Sequence, residues 1–125
     1  MSWYIDSSAI LSVILKEPDG LPLESILGSE PTTSRLSQVE VLRRVTKFDE
    51  LLIPRARLIL AQFQLVHISE SILNRAENYS ADITVKAADA IHLATAETLA
   101  PLINGIITLD TQMAKNARKL NLVVW

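Results

Sequence analysis

Short runs of apolar residues alternate along the chain with longer segments in which apolar positions repeat at helical spacing. The short runs predict buried strands, because they lack the strict alternation of a strand that has one exposed face. The predicted strands cover 3–5, 31–34, 65–68, 106–109 and 122–124. The predicted helices cover 8–16, 21–27, 37–48, 54–63, 70–79, 86–99 and 111–120. Strands that alternate with helices indicate a parallel sheet covered on both faces, and therefore an α/β fold.

The size and apolar content of the chain fit one compact domain. The chain has 125 residues, of which 49% are hydrophobic, and it contains no internal repeat or linker, so we expect a single domain over 1–125. Its mean hydropathy of +0.25 is high for a soluble monomer, so we expect a partner to cover some apolar surface. The runs 51–53 and 58–60 are candidates for that surface, and core packing explains them equally well.

Several functional classes are excluded by composition. The chain has no cysteine, which excludes disulfides, thiol catalysis and thiolate zinc sites. Residues 1–6 lack the basic and apolar regions of a signal peptide, and the apolar stretch 87–109 is interrupted by Asp89 and Pro101. We therefore expect no signal peptide and no membrane span, which permits a cytoplasmic location.

Two predicted strands run directly into an aspartate. Asp6 follows 3–5, and Asp110 follows 106–109. Because ligands of parallel sheets collect beyond the carboxyl ends of the strands, we expect both side chains at one functional edge. The alternative is that each aspartate only caps the helix that follows it, since aspartate is a favoured N-cap.

Asp89 lies in a helix that is apolar on nearly every side. At 100° per residue it falls between Leu93 and Ala96, where a carboxylate is costly unless it is paired or bound to a metal. An ion pair with Lys86, three residues earlier, and a first-turn contact with the helix dipole are the structural alternatives.

Glu40 has two interpretations. The segment Ser37-Gln38-Val39-Glu40 matches a capping box, in which the glutamate bonds back to the amide of the cap residue. Glu40 is also a candidate metal ligand, and the two roles are compatible if its two oxygens face different partners.

The four acidic residues, taken as a set, indicate a cation-binding site. At a separation of roughly 5 Å and an effective dielectric near 20, each pair of carboxylates repels by about 3 kcal/mol, so a fold that gathers Asp6, Glu40, Asp89 and Asp110 needs cations. Oxygen ligands without cysteine or a histidine pair favour Mg²⁺ or Mn²⁺ over zinc. Such sites activate water for phosphoester displacement. We interpret the chain's two histidines, His67 and His92, as structural.

The net charge of −2 hides an uneven distribution. Without the four candidate ligands, ten acidic residues face twelve basic ones. As a hypothesis, some basic residues near Glu40 and Asp89 contact substrate phosphates; a solvated helix face is the alternative. The candidates are Arg35, Arg43, Arg44, Lys47 and Lys86.

The whole chain resembles the PIN domain, and most closely the VapC-type toxins of prokaryotic toxin–antitoxin pairs. The resemblance rests on Asp6-Ser7-Ser8 after the first strand, Glu40 on the third helix, 89–96 (Asp-Ala-Ile-His-Leu-Ala-Thr-Ala) and Thr108-Leu109-Asp110. The segment 89–96 is the most specific part.

The resemblance implies a three-layer α/β/α sandwich with a mainly parallel sheet and an endoribonuclease that depends on Mg²⁺ or Mn²⁺. It also implies a cytoplasmic prokaryotic protein, a homodimer and a VapB-type antitoxin that inhibits the enzyme. By position, the metal ligands and catalytic residues are Asp6, Glu40, Asp89 and Asp110, with Ser8 and Thr108 as supporting hydroxyls. Some relatives carry a further acid close behind the fourth, where this chain has Gln112 and Met113, so a second metal is expected either to bind weakly or to be recruited only with substrate.

Two other functions stay open at this point. One is a PIN nuclease that processes RNA without an antitoxin, and the other is a metal-free interaction module that kept the fold. A phosphatase of the haloacid dehalogenase type needs a second acid two residues after the first, where this chain has Ser8. No Walker loop, nucleophile elbow or dinucleotide fingerprint is present.

Overall fold

The computed structural model of the chain describes residues 2–18, 20, 22–28 and 30–125. In chain order, the elements are β1 (Ser2–Ile5), α1 (Ser7–Ile14), α2 (Leu23–Leu27), β2 (Thr32–Ser34), α3 (Arg35–Phe48), α4 (Ile53–Leu60), β3 (Gln64–Val66), α5 (Glu70–Glu77), α6 (Ala87–Thr98), β4 (Ile103–Ile107) and α7 (Thr111–Lys119). Short 3-10 helices occupy Glu50–Leu52 and Ala100–Leu102. The strands form one parallel sheet in the order β3-β2-β1-β4, which confirms the predicted α/β class.

The sheet has an apolar core on each face. Successive side chains of a strand point to opposite faces, so neighbours on β1 and β4 enter different cores. Tyr4 and Ile106 pack with residues of α6 and α7, whereas Ile5 and Ile107 pack with residues of α1, α3 and α4. Helices therefore cover both faces, and the predicted three-layer sandwich is confirmed.

Parallel pairing brings the carboxyl ends of the central strands to one rim. Ile5 at the end of β1 is in register with Ile107 at the end of β4, and Tyr4 is in register with Thr32 of β2. The connections after β1, β2 and β4 therefore all leave the sheet at the same edge. This edge is where the sequence predicted the chemistry.

Several element boundaries differ from the prediction. The last predicted strand, 122–124, is reduced to one parallel bridge between Val124 and Ile106. Strand β4 covers Ile103–Ile107, so it begins three residues before the predicted strand 106–109 and ends two residues before that strand's end. Helix α2 begins at Leu23, and Leu21 of the predicted helix lies outside the described residues.

The two candidate apolar runs are divided between surface and core. Leu51 and Leu58 are exposed, at 86% and 71% of their accessible areas, whereas Ile59 and Leu60 are buried. Core packing thus explains the end of the second run but not its start. Among the helices of the described residues, none combines the length and the apolar character of a membrane span.

The tail after α7 runs beside β4 because residue 105 is a glycine. The amide of Ile106 donates to the carbonyl of Val123 (2.8 Å), the amide of Trp125 donates to the carbonyl of Ile106 (3.0 Å), and the Trp125 ring lies 5.2 Å from that of Trp3. A Cβ atom on Gly105 would lie 2.2 Å from the carbonyl oxygen of Val123 and 2.9 Å from the Trp3 ring. Backbone and side chain would both have to move.

We predict that Gly105→Ala lowers the free energy of unfolding by about 2 kcal/mol, as overpacking typically does. Urea unfolding followed by tryptophan fluorescence measures the loss. Gly28→Ala is the control: its φ is −70°, and its added Cβ meets one carbonyl at 3.1 Å, so its effect stays below about 1 kcal/mol. Equal stabilities of Gly105→Ala and the wild type would contradict the prediction.

Candidate active site

Asp6 is a buried carboxylate at the junction of β1 and α1. It is the N-cap of α1, and its Oδ1 accepts hydrogen bonds from the amide of Ala9 (3.1 Å) and the hydroxyl of Ser8 (2.7 Å). Its Oδ2 accepts from the hydroxyl of Thr108 at 2.5 Å. Burial raises the pKa of Asp6 above its ordinary value, although the hydrogen bonds from Thr108, Ser8 and Ala9 oppose the rise.

Ser8 and Thr108 join the two strand ends. The Ser8 hydroxyl also accepts from the amide of Leu109 (3.0 Å), and the Thr108 hydroxyl accepts from the amide of Asp110 (3.0 Å). The β1–α1 and β4–α7 connections are therefore linked through two side chains. The predicted supporting hydroxyls lie directly against the Asp6 carboxylate.

Asp110 lies at the same rim and is exposed. It is the N-cap of α7, where its Oδ1 accepts from the amides of Gln112 (2.8 Å) and Met113 (3.0 Å). The capping interpretation thus holds for both Asp6 and Asp110, and it does not exclude a second role. An ionised carboxylate has about four lone-pair sites, of which capping uses one or two.

Asp89 lies in the first turn of α6, so the helix-dipole alternative remains open. It is half-buried, and within the described part of the chain its carboxylate makes no hydrogen bond or ion pair. The alternative of an ion pair with Lys86 is therefore wrong. Burial raises the pKa of Asp89, and the carboxylate of Asp110 raises it next; His92 lowers it, while the carboxylates of Asp6 and Glu40 add to the rise. Asp89 thus feels the other three predicted ligands.

Glu40 does not form the predicted capping box. Helix α3 begins at Arg35 with Ser34 as its N-cap, so Ser37 lies inside the helix, where its hydroxyl contacts that of Thr33 (2.6 Å). The Glu40 Oε1 instead lies 2.6 Å from Nε2 of His92. The capping-box interpretation of Glu40 is wrong because helix α3 begins two residues before Ser37, the first residue of the motif; its role as a metal ligand stays a prediction.

A groove of about 590 Å³ runs along the rim. Of the predicted basic residues, Arg44 lines the groove, whereas Arg35, Arg43, Lys47 and Lys86 do not. The lining residues are Ser7, Ser8, Leu11, Leu15, Glu17, Glu40, Arg44, Leu109 and Asp110. Two predicted acids and a guanidinium therefore share one open surface.

Residues 3–119 match the family model of the PIN domain. The chain belongs to the PIN-domain family. Ribonuclease VapC47 of Mycobacterium tuberculosis (strain CDC 1551 / Oshkosh) is 28% identical to it, with 96% of this chain and 93% of the relative covered. Ribonuclease VapC46 of Mycobacterium tuberculosis (strain ATCC 25618 / H37Rv) is 30% identical, with 97% and 94% covered. A chain of the toxin–antitoxin complex from Klebsiella pneumoniae has a TM-score of 0.69 at 25% identity and covers 88% of both chains.

The predicted family is confirmed, but the sequence interpretation missed the side-chain contacts of His92 in this PIN domain. His92 is fully buried, as expected of a structural residue, yet it contacts Glu40 and also Tyr4, whose hydroxyl lies 2.6 Å from Nδ1. A signal was available, because His92 follows Asp89 by three residues, and positions i and i+3 share a helix face.

The oxygen donors of the PIN domain suit a hard divalent cation. Asp89 is a partly buried carboxylate that makes no hydrogen bond or ion pair within the described residues, and a cation would offset the repulsion from Asp110, Asp6 and Glu40 that contributes to its raised pKa. As the side chains stand, no three acids or histidines of the described residues are grouped closely enough to hold a metal ion. Binding of a metal ion would therefore require side-chain movement, and Asp110 is exposed at the rim.

We predict that Asp89→Asn stabilises the PIN domain in EDTA at pH 7. Because folding raises the pKa of Asp89 from 3.8, stability is full below that pH and falls as the pH rises through the folded pKa. Asparagine removes this cost, so Tm should rise by about 2 °C at pH 7 and change little at pH 3.

Thermal melts of Asp89→Asn and the wild type at pH 7 and pH 3 test the sign of the change in Tm. Asp82→Asn is the matched control: Asp82 is exposed, and a hydrogen bond from Ser80 lowers its pKa, so its substitution should not raise Tm. A lower Tm for Asp89→Asn at pH 7 would show that the carboxylate has a stabilising partner.

Proposed function

We propose that this PIN domain is an endoribonuclease that depends on Mg²⁺ or Mn²⁺ and acts as the toxin of a VapBC-type toxin–antitoxin pair. The main support is the Asp89 carboxylate, which makes no hydrogen bond or ion pair within the described residues and whose pKa is raised by burial and by the carboxylates of Asp110, Asp6 and Glu40. A fold keeps such a costly arrangement when a cation compensates it. The ribonuclease names of both curated relatives support RNA as the substrate.

The four acids have different tasks in this proposal. When bound, the cation supplies an activated water and offsets charge on the phosphate. Asp6 is oriented in advance by Ser8 and Thr108, and Asp89 and Asp110 complete the ligand set. Glu40 holds the cation directly or orients a water with the oxygen that does not face His92. The effect of the Asp110, Asp6 and Glu40 carboxylates on the pKa of Asp89 argues against a metal-free interaction module.

Arg44 is the best-placed basic residue for RNA in the groove. It lies one helical turn after Glu40 on α3, and it lines the same groove as Glu40 and Asp110. We infer that its guanidinium binds a phosphate of the RNA strand beside the scissile bond, since arginine pairs with phosphate through parallel hydrogen bonds. The leucines of the groove would lie under the sugars and bases.

The proposed partners are an antitoxin and a second copy of the chain. The likeness to a chain of a solved toxin–antitoxin complex supports the antitoxin. Three large apolar side chains are exposed, which suits a surface that an apolar partner covers: Phe48 at the end of α3, Leu51 in the following 3-10 helix and Leu58 in the second half of α4. A cytoplasmic location is part of the same proposal.

We predict that Asp6→Asn and Asp89→Asn each reduce Mg²⁺-dependent RNA cleavage at least about 100-fold while the fold is kept. Asparagine is as good an N-cap as aspartate, so Asp6→Asn tests ligand charge rather than helix capping. The assay is cleavage mapping on total cellular RNA, with Mn²⁺-dependent thermal shifts as a second measurement. Asp82→Asn should cleave as the wild type does, and full wild-type activity in EDTA would refute metal dependence.

We predict that Arg44→Ala weakens RNA binding about 3- to 10-fold, whereas its neighbour Arg43→Ala has little effect. Binding to a short single-stranded RNA is measured over 50 to 300 mM salt with Asp89→Asn as the background, which prevents cleavage. Loss of one phosphate contact should lower the slope of log K against log salt by about 0.7. Equal slopes for Arg44→Ala and Arg43→Ala would remove Arg44 from the phosphate site.

A further inference from the structure

A chain of two short hydrogen bonds leads from the core to the site. The Tyr4 hydroxyl lies 2.6 Å from Nδ1 of His92, and Nε2 of His92 lies 2.6 Å from Oε1 of Glu40. Tyr4 and His92 are both fully buried, whereas the Glu40 side chain is 28% exposed and lines the groove. The three residues stand on β1, α6 and α3, which are distant in sequence and meet only in the fold.

The two hydrogen bonds that join Tyr4, His92 and Glu40 have a fixed donor-to-acceptor direction. An ionised Glu40 has no proton to donate, so Nε2 of His92 must be the donor between them. In a neutral imidazole Nδ1 is then an acceptor, and the Tyr4 hydroxyl must donate to it. A phenol is protonated at neutral pH, so the Tyr4 hydroxyl has a proton to donate. Tyr4 thus selects the tautomer of His92 that attracts Glu40.

We propose that Tyr4 and His92 are positioning residues, which hold one oxygen of Glu40 against the core so that the rest of its carboxylate is presented to the metal site. This inference rests on the proposed function. In the other neutral tautomer, Nε2 would turn a lone pair toward the carboxylate and repel it. Glu40 would then adopt several rotamers at the groove, and divalent ions would bind more weakly.

The decisive variant is Tyr4→Phe, which removes one hydroxyl and leaves the ring in the core. We expect Mn²⁺ affinity, measured by calorimetry, and kcat to fall about tenfold, as for partners that orient metal ligands, while KM for RNA is unchanged. In a Glu40→Gln background, Tyr4→Phe should lower neither Mn²⁺ affinity nor kcat any further, because the side chain that Tyr4 and His92 orient has lost its charge. The ¹⁵N shifts of His92 should report Nε2–H in the wild type and a mixture in Tyr4→Phe.

The other tyrosine of the chain provides a matched control. The Tyr79 hydroxyl donates to Oε1 of Glu97 at 2.5 Å, so Tyr79→Phe also removes a phenol–carboxylate bond. Glu97 lies eight residues after Asp89 on α6, about 12 Å along the helix axis. Tyr79→Phe should therefore alter stability and leave Mn²⁺ affinity unchanged.

The outcomes are separable. One outcome is that the wild type and Tyr4→Phe bind Mn²⁺ equally well and Tyr4→Phe only has a lower Tm. The two hydrogen bonds then serve stability alone, and the positioning role is refuted. If the wild type neither binds Mn²⁺ nor cleaves RNA, the proposed function itself fails and the inference fails with it. Should Tyr4→Phe not fold, the tautomer of wild-type His92 still decides, since Nδ1–H would contradict the required direction.

Discussion

A carboxylate buried at a strand end must have hydrogen-bond donors, and Asp6 receives them from two parts of the fold. The start of α1 supplies the Ala9 amide and the Ser8 hydroxyl, while the end of β4 supplies the hydroxyl of Thr108. The hydroxyls of Ser8 and Thr108 also accept hydrogen bonds from backbone amides of the β4–α7 connection. The Asp6 carboxyl group therefore fixes the ends of β1 and β4 relative to each other. The position of Asp110, and with it the geometry of the groove, depends on this arrangement.

The buried carboxylates of the site destabilise the folded state, and the rest of the domain must offset this loss of stability. Burial raises the pKa of Asp6 and Asp89, which means that the folded state disfavours their ionised forms. The two apolar cores on the faces of the sheet provide the compensating stability, since each encloses side chains of the central strands and the helices that cover them. Active sites commonly trade stability for chemistry in this way.

The sequence was sufficient for whatever depends on local pattern and parallel topology. Apolar runs located the strands, and strand ends followed by aspartates located the rim, because parallel pairing allows one outcome. It was insufficient where a contact joins distant segments. The Glu40–His92 bond spans 52 positions, and the local capping motif pointed elsewhere. Which of Arg43 and Arg44 reaches the groove depends on how α3 packs, and a row of basic residues does not specify it.

The three aspartates of the rim carry different amounts of information about ancestry. Asp6 and Asp110 each cap a helix, so selection for folding alone would preserve them after an ancestral activity was lost. The Asp89 carboxylate makes no hydrogen bond or ion pair in the described chain. Because its pKa is raised, its ionised form destabilises the folded state at neutral pH. A lineage that abandoned the chemistry would be free to replace it, and would gain by doing so. In a survey of homologous genes, position 89 would therefore separate working enzymes from their retired descendants.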